Sequence, residues 1–242
     1  MKKVVIINLI MLFLLFATSC NKSYNENEIS KTQKKVSEVM TKESQEATAP
    51  DKVLDDLMAG NNRYVNNDLI LRDLQAQVKA TASGQYPKAV ILSCIDSRVP
   101  VELVFDQGVG DLFVVRIAGN VENEDVLGSI EYSVGVAGSK LIMVLGHESC
   151  GAVKSAVDEL NVGSDNVAHL LNQFEPAIQK VKGNRDSKNK DYLTEVIKTN
   201  VKMTIDDIRT RSNIIKQLEA DGKILIVGGY YNLHDGKVTL VK

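Results

Sequence analysis

Ser93-Cys94-Ile95-Asp96-Ser97-Arg98 and, some fifty residues further on, Gly146-His147-Glu148-Ser149-Cys150-Gly151 decide how this chain reads. Each follows a short apolar run. Ala89-Val90-Ile91-Leu92, bounded by Pro87 and Lys88, precedes the first, and Leu141-Ile142-Met143-Val144-Leu145 precedes the second. Uninterrupted apolar runs of this length read as buried strands. Extended backbone continued past the first run would alternate Cys94, Asp96 and Arg98 onto one face, gathering a thiolate, a carboxylate and a guanidinium at a strand end. The second stretch delivers an imidazole and another thiol three residues apart. Two thiolates and one imidazole make a three-ligand zinc set, one short of tetrahedral closure. That open position separates a catalytic site from a structural one.

Working outward, residues 112–117 and 223–227 read as further core strands. Helical periodicity covers residues 53–64, broken at Gly60-Asn61-Asn62, and then 69–82, 102–106, 122–137, 152–160, 166–182 and 192–220, with a charged loop at 183–190. Strands alternating with helices predict an α/β fold: a central, mostly parallel four-stranded β-sheet flanked by helices. The turn Leu233-His234-Asp235-Gly236 adds a C-terminal edge strand at 237–241. Sites in such sheets collect at the carboxyl ends of strands, where Cys94 and His147 both fall.

The 242 residues, 44% hydrophobic and 25% charged, suffice for one domain with a core. A net charge of −2 with no basic cluster excludes a nucleic-acid partner. The amino terminus reads separately. Lys2 and Lys3 precede an apolar stretch at 4–17, too short to span a bilayer comfortably and suited to a signal peptide. Ala17-Thr18-Ser19-Cys20 resembles a bacterial lipobox, with Cys20 as the lipidation site. The organisation expected is a signal peptide at 1–19, a lipidated polar tether at 20–49 and a zinc domain at 50–242. The protein is then an exported lipoprotein, held to the membrane and facing the periplasm or cell exterior. A plain signal peptide or a retained anchor helix is the alternative. With Cys20 lipidated, Cys94 and Cys150 remain, and a single disulfide between them is the alternative to a metal.

Zinc with an open position lowers the pKa of bound water and makes a hydroxide nucleophile. Cys150 sits at a strand-to-helix turn, where a thiol ionises more readily. A bidentate Arg98 can hold Asp96 off the metal and orient it toward the water; an ordinary strand-end salt bridge is the other reading. His169 and His234 read as surface residues.

Cys94-Ile95-Asp96-Ser97-Arg98 together with Gly146-His147-Glu148-Ser149-Cys150-Gly151-Ala152 resembles the β-class carbonic anhydrases. The likeness runs over about residues 50–242, through Phe105-Asp106-Gln107-Gly108, Phe113-Val114-Val115-Arg116, Ala118-Gly119-Asn120, Ile130-Glu131-Tyr132 and Val227-Gly228-Gly229-Tyr230. The resemblance implies Zn2+-dependent hydration of CO2 to bicarbonate and a proton by attack of zinc-bound hydroxide, and self-association as a dimer or tetramer. It implies Cys94, His147 and Cys150 as metal ligands and Asp96 with Arg98 as a catalytic dyad. It also implies a substrate pocket of Gln85, Phe113, Tyr132 and Gly151, partly supplied by the neighbouring subunit. A Gln side chain can donate to a bicarbonate oxygen, while Phe and Tyr supply an apolar wall. Ile91 stands where the bicarbonate-regulated subgroup usually carries Trp, so the resemblance does not extend to that regulation. Two alternatives stay open: a CS2 or COS hydrolase on the same scaffold, and a non-catalytic lipoprotein stabilised by zinc. The Asp96–Arg98 pair argues against the second, because a structural site calls for a fourth protein ligand.

Overall fold

Ala89–Ser93 (β1), Leu112–Arg116 (β2), Leu141–His147 (β3), Leu225–Tyr231 (β4) and Val238–Val241 (β5) form one sheet in the order β2-β1-β3-β4-β5. The coordinates are a computed structural model that describes residues 35–242. The first four strands run parallel and β5 pairs antiparallel with β4, which is the predicted architecture with its edge strand. The helices are Lys42–Ala47 (α1), Pro50–Val65 (α2), Leu74–Thr81 (α3), Val101–Val104 (α4), Glu124–Glu131 (α5), Gly151–Val157 (α6), Asp165–Asn172 (α7), Glu175–Lys180 (α8), Lys190–Arg211 (α9) and Asn213–Ala220 (α10).

β1 and β3 are buried along their whole length, which is why they read as continuous apolar runs. Val90, Leu92, Ile142 and Val144 pack on one face against α5, α9 and α10. Ala89, Ile91, Leu141, Met143 and Leu145 pack on the other against α2 and α4. Several predicted helices differ in extent: α2 runs unbroken through Gly60-Asn61-Asn62, and the stretch at 166–182 divides into α7 and α8. The second starts at Leu74, where Asp73 caps it by accepting from the Ala76 amide. The last divides at Ser212, whose hydroxyl accepts from the Ile215 amide. The stretch at 122–137 ends in a π-helical turn, Tyr132–Val136.

Composition places residues 20–49 in a tether, but the compact unit begins at Lys35. Val36 bridges to Arg72, and Thr41 with Ser44 forms a capping box on α1. Gln45 is buried through hydrogen bonds to backbone carbonyls. Polar residues bury readily when each donor finds an acceptor, and average polarity does not report that. The signal peptide, Cys20 and the rest of the tether lie outside the described residues. No helix among the described residues is long and apolar enough to cross a membrane.

α2 crosses the turn after α4 so closely that a Cβ at Gly60 would lie 1.9 Å from the Phe105 carbonyl oxygen. In that turn Asp106 adopts φ 48° and receives Arg63 Nε at 2.5 Å and the Arg72 guanidinium. Burial pushes the Asp106 carboxyl up, but the hydrogen bonds from Arg63 and Arg72 outweigh it and hold the group below its ordinary 3.8. A depressed carboxylate contributes stability that is present above the unfolded-state value and lost as pH falls through the folded one. Asp106→Asn keeps the shape and the tolerance of positive φ while removing the charge. It is expected to cost about 3 kcal/mol in urea unfolding at neutral pH. The gap from the parent protein should close as pH falls below 3.8. A constant gap would mean that packing, not charge, holds the turn.

Candidate metal centre

Cys94 follows β1 directly, His147 is the last residue of β3, and β1 and β3 are neighbours with Ser93 opposite Leu145. Cys150 caps the amino end of α6. The parallel pairing therefore carries three candidate ligands, two thiols and an imidazole, to one end of the sheet, and their donor atoms lie within 4.8 Å of one another. Both cysteines are free thiols, with Sγ atoms 3.9 Å apart. His147 Nδ1 lies 2.9 Å from the Glu148 carbonyl oxygen, which can only accept, so the proton sits on Nδ1. Nε2 is left buried, a lone pair without a partner. Zinc–sulfur bonds of about 2.3 Å in a tetrahedron put two sulfurs about 3.8 Å apart. Spacing and orphaned acceptor both fit a zinc-sized ion.

The backbone prepares the thiolate. The Gly119 amide donates to Cys94 Sγ at 3.2 Å, from a residue with φ 69° where a Cβ would sit 2.3 Å from Phe174 Cζ. No other residue type fits there. The hydrogen bond from Cys150, followed by the amides of Gly119 and Asp96, pulls Cys94 down to about 4 against its burial. Cys150 moves the other way, pushed up by the Cys94 thiolate and by burial. The amides of Val153 and Ala152 pull it down, as the helix terminus predicts, but they are outweighed. By itself the pair carries one negative charge. A divalent cation is what allows both sulfurs to be anionic together.

Asp96 and Arg98 meet differently from the expected strand alternation. β1 stops at Ser93, and the chain turns, with the Val99 amide donating to the Asp96 carbonyl at 3.1 Å. Arg116, which closes β2, fixes this turn by donating to the carbonyls of Cys94 at 2.9 Å and Asp96 at 2.5 Å. Within it, Arg98 Nε and Nη2 reach Asp96 Oδ1 and Oδ2 at 2.9 and 2.7 Å. That clamp holds the Asp96 carboxyl at about 2 despite partial burial. Its Oδ2 lies 3.8 Å from His147 Nε2, so an acceptor-only carboxylate borders the three ligands.

Gln85, Phe113 and Tyr132 are gathered elsewhere. They line a cavity of about 380 Å³ together with Lys42 and Gln45, and the Phe113 and Tyr132 rings meet edge-on at 6.5 Å. Phe113 pairs with Val90, which lies four residues before Cys94, roughly 13 Å along the strand. Gly151 opens α6 beside Cys150, and a Cβ there would meet nothing within 4 Å. His234 is exposed, as expected, yet its Nε2 lies 3.4 Å from Glu148 Oε1. Glu148 Oε2 also accepts from the Leu233 amide, joining the ligand loop to the β4–β5 turn. Chemistry-led reading misses Arg116, Gly119 and Glu148 as supports. The only local signal for Arg116 is a charged residue closing an apolar run.

The chain matches the family model described as carbonic anhydrase over residues 89–238. It is 43% identical over 162 residues to carbonic anhydrase 2 of Mycobacterium tuberculosis, covering 66% of this chain and 76% of the relative. It is 42% identical over 188 residues to the carbonic anhydrase of Mycolicibacterium smegmatis, covering 76% and 89%. In fold it is similar to the Coccomyxa β-carbonic anhydrase solved with acetazolamide, at TM-score 0.61 and 23% identity over 79% of this chain and 82% of that one. It is similar also to a tetrameric β-carbonic anhydrase of Sordaria macrospora, at TM-score 0.60 and 20% identity over 78% and 93%. The matched residues carry the whole Cys94, His147 and Cys150 cluster, and by fold and sequence alike this chain belongs to the β-carbonic anhydrase family.

Proposed function

We propose that this protein hydrates CO2 reversibly to bicarbonate and a proton, with zinc held by Cys94 Sγ, His147 Nε2 and Cys150 Sγ. The observation that carries this reading is the convergence of three ligands beside a carboxylate that an arginine already engages. Zinc supplies Lewis acidity that brings water ionisation near neutral pH. Asp96, ionised and acceptor-only, would accept a hydrogen bond from the attacking oxygen and so leave that oxygen's lone pair directed at CO2. Arg98 keeps that carboxylate from becoming a fourth ligand, and Arg116 keeps its loop in place.

Gln85, Phe113 and Tyr132 lie too far along the sheet to serve their own chain's metal. In this proposal they serve the neighbouring protomer's, with a dimer as the smallest working unit. Export and anchoring through Cys20 belong to the same proposal, supported by the residue pattern at 1–20.

The test is stopped-flow CO2 hydration with zinc determined on the same sample. Fast hydration at about one zinc per chain, abolished by a chelator and restored by zinc, is the expected result. Zinc with turnover of CS2 or COS in place of CO2 would change the substrate. Zinc with no turnover would leave a folding role only. A metal-free protein with a Cys94–Cys150 disulfide would sink the reading.

A further inference from the structure

Gln45 belongs to a stretch whose composition reads as solvated spacer, yet only 3% of it is exposed. Its Nε2 donates to two carbonyls, Pro87 at 2.8 Å and Ala137 at 2.9 Å. Gly138, at φ 80°, comes so near that a Cβ would lie 2.9 Å from Gln45 Oε1. Ala137 lines the cavity that holds Gln85, Phe113 and Tyr132, and Pro87 directly follows two of its lining residues, Gln85 and Tyr86. Pro87 ends the Gln85-Tyr86-Pro87 loop. Ala137 follows the π-helical turn that begins at Tyr132, and its amide donates back to the Tyr132 carbonyl at 3.0 Å. One buried amide thus ties the wall carrying Gln85 to the wall carrying Tyr132. Lys42 and Glu46, from the same helix, line the cavity as well. α1 lies ahead of residues 89–238, so this brace stands outside the part of the chain that matches the family model.

We infer that Gln45 is a positioning residue: through it, α1 sets the separation of Gln85 and Tyr132 and so tunes the substrate side of the site. The inference rests on the proposed role of Gln85, Phe113 and Tyr132 in CO2 hydration. It places α1 in the enzyme's pocket. A buried side chain that donates to two carbonyls ties their backbones together, because its loss takes a hydrogen bond from each. Ser139 Oγ also donates to the Pro87 carbonyl at 2.8 Å, so Ala137 is the wall that depends most on Gln45. The π-helical turn carrying Tyr132 should therefore loosen first when the amide is removed.

The experiment compares Gln45→Met, which keeps the volume and removes both donors, with Gln45→Glu, which sets a carboxylate against two carbonyls. Both are made in the full chain. Zinc per chain should stay at the parent value, since Gln45 touches none of the ligands. KM for CO2 hydration should rise about tenfold with kcat changed less than twofold, as a displaced wall predicts. Backbone amide exchange should quicken across residues 132–139 more than across 85–88. If Gln45→Glu does not fold, Gln45→Met carries the test. Parent KM and parent exchange in a folded variant would overturn the inference. So would a lower melting temperature with unchanged KM, which would make Gln45 structural only. If the parent protein itself fails to hydrate CO2, the functional reading falls, and amide exchange alone then decides whether Gln45 braces the walls.

Discussion

His147→Ala is expected to cost this protein its metal and, with it, all catalysed CO2 hydration. The imidazole is fully buried and its Nε2 has no protein partner, so no neighbour can take over its role as a ligand. Supporting residues around metal sites typically cost 10–100-fold in affinity when removed, and losing a ligand itself should exceed about 100-fold. Two buried sulfurs would remain, and the charge that Cys94 and Cys150 carry together would have no cation to balance it. Melting curves make the result readable without an activity assay. A bound ion stabilises by mass action, so a chelator should lower the melting temperature of the parent protein and leave His147→Ala unmoved. A variant that still binds about one zinc per chain would show that the ligand set is wrong.

Asp96→Asn should separate catalysis from metal binding. The amide keeps the size and one acceptor oxygen but loses the charge that Arg98 grips through two hydrogen bonds. Because Arg98 holds Asp96 at about 2, the parent carboxylate stays ionised throughout the range in which the protein works. The defect should therefore appear at every pH, not along one limb of the profile. Proton-handling and orienting groups contribute typically 10²–10⁴-fold. A fall in kcat/KM of about a hundredfold or more, at unchanged zinc content, is the expected outcome. Full activity would remove Asp96 from the mechanism, and lost zinc would recast it as a metal-retaining group.

Much of this architecture is legible in residue types. Ala89–Ser93 and Leu141–His147 announce themselves because parallel strands buried on both faces must be apolar throughout. The ligand set is legible because thiol, imidazole and thiol have few other reasons to share a strand end. What escapes a linear reading depends on partners distant in sequence. The Asp96 turn is shaped by Arg116 on β2, and alternation along one strand cannot foresee it. Gln45 is buried because Pro87 and Ala137 happen to offer carbonyls, while the average over its polar stretch points to solvent. Helical periodicity runs unbroken through Ser212, where a cap ends one helix and starts the next. The placement of Gln85, Phe113 and Tyr132 away from their own ligands comes from sheet geometry, which residue spacing does not encode.

The adjacency of β1 and β3 has a bearing on how the protein comes to be. Cys94 and Cys150 stand 56 positions apart in the chain, and only parallel docking of two strands, with β2 and α5 looped between them, makes them neighbours. Parallel pairing over such a span is slow, since the chain must close a long loop before any contact rewards it. A newly made or half-folded molecule therefore offers the His147–Cys150 pair and the Cys94 thiol apart from each other, never the full set. An ion held by all three would therefore mark a molecule in which β1 and β3 have already paired. Its metal content would then double as a record of folding history.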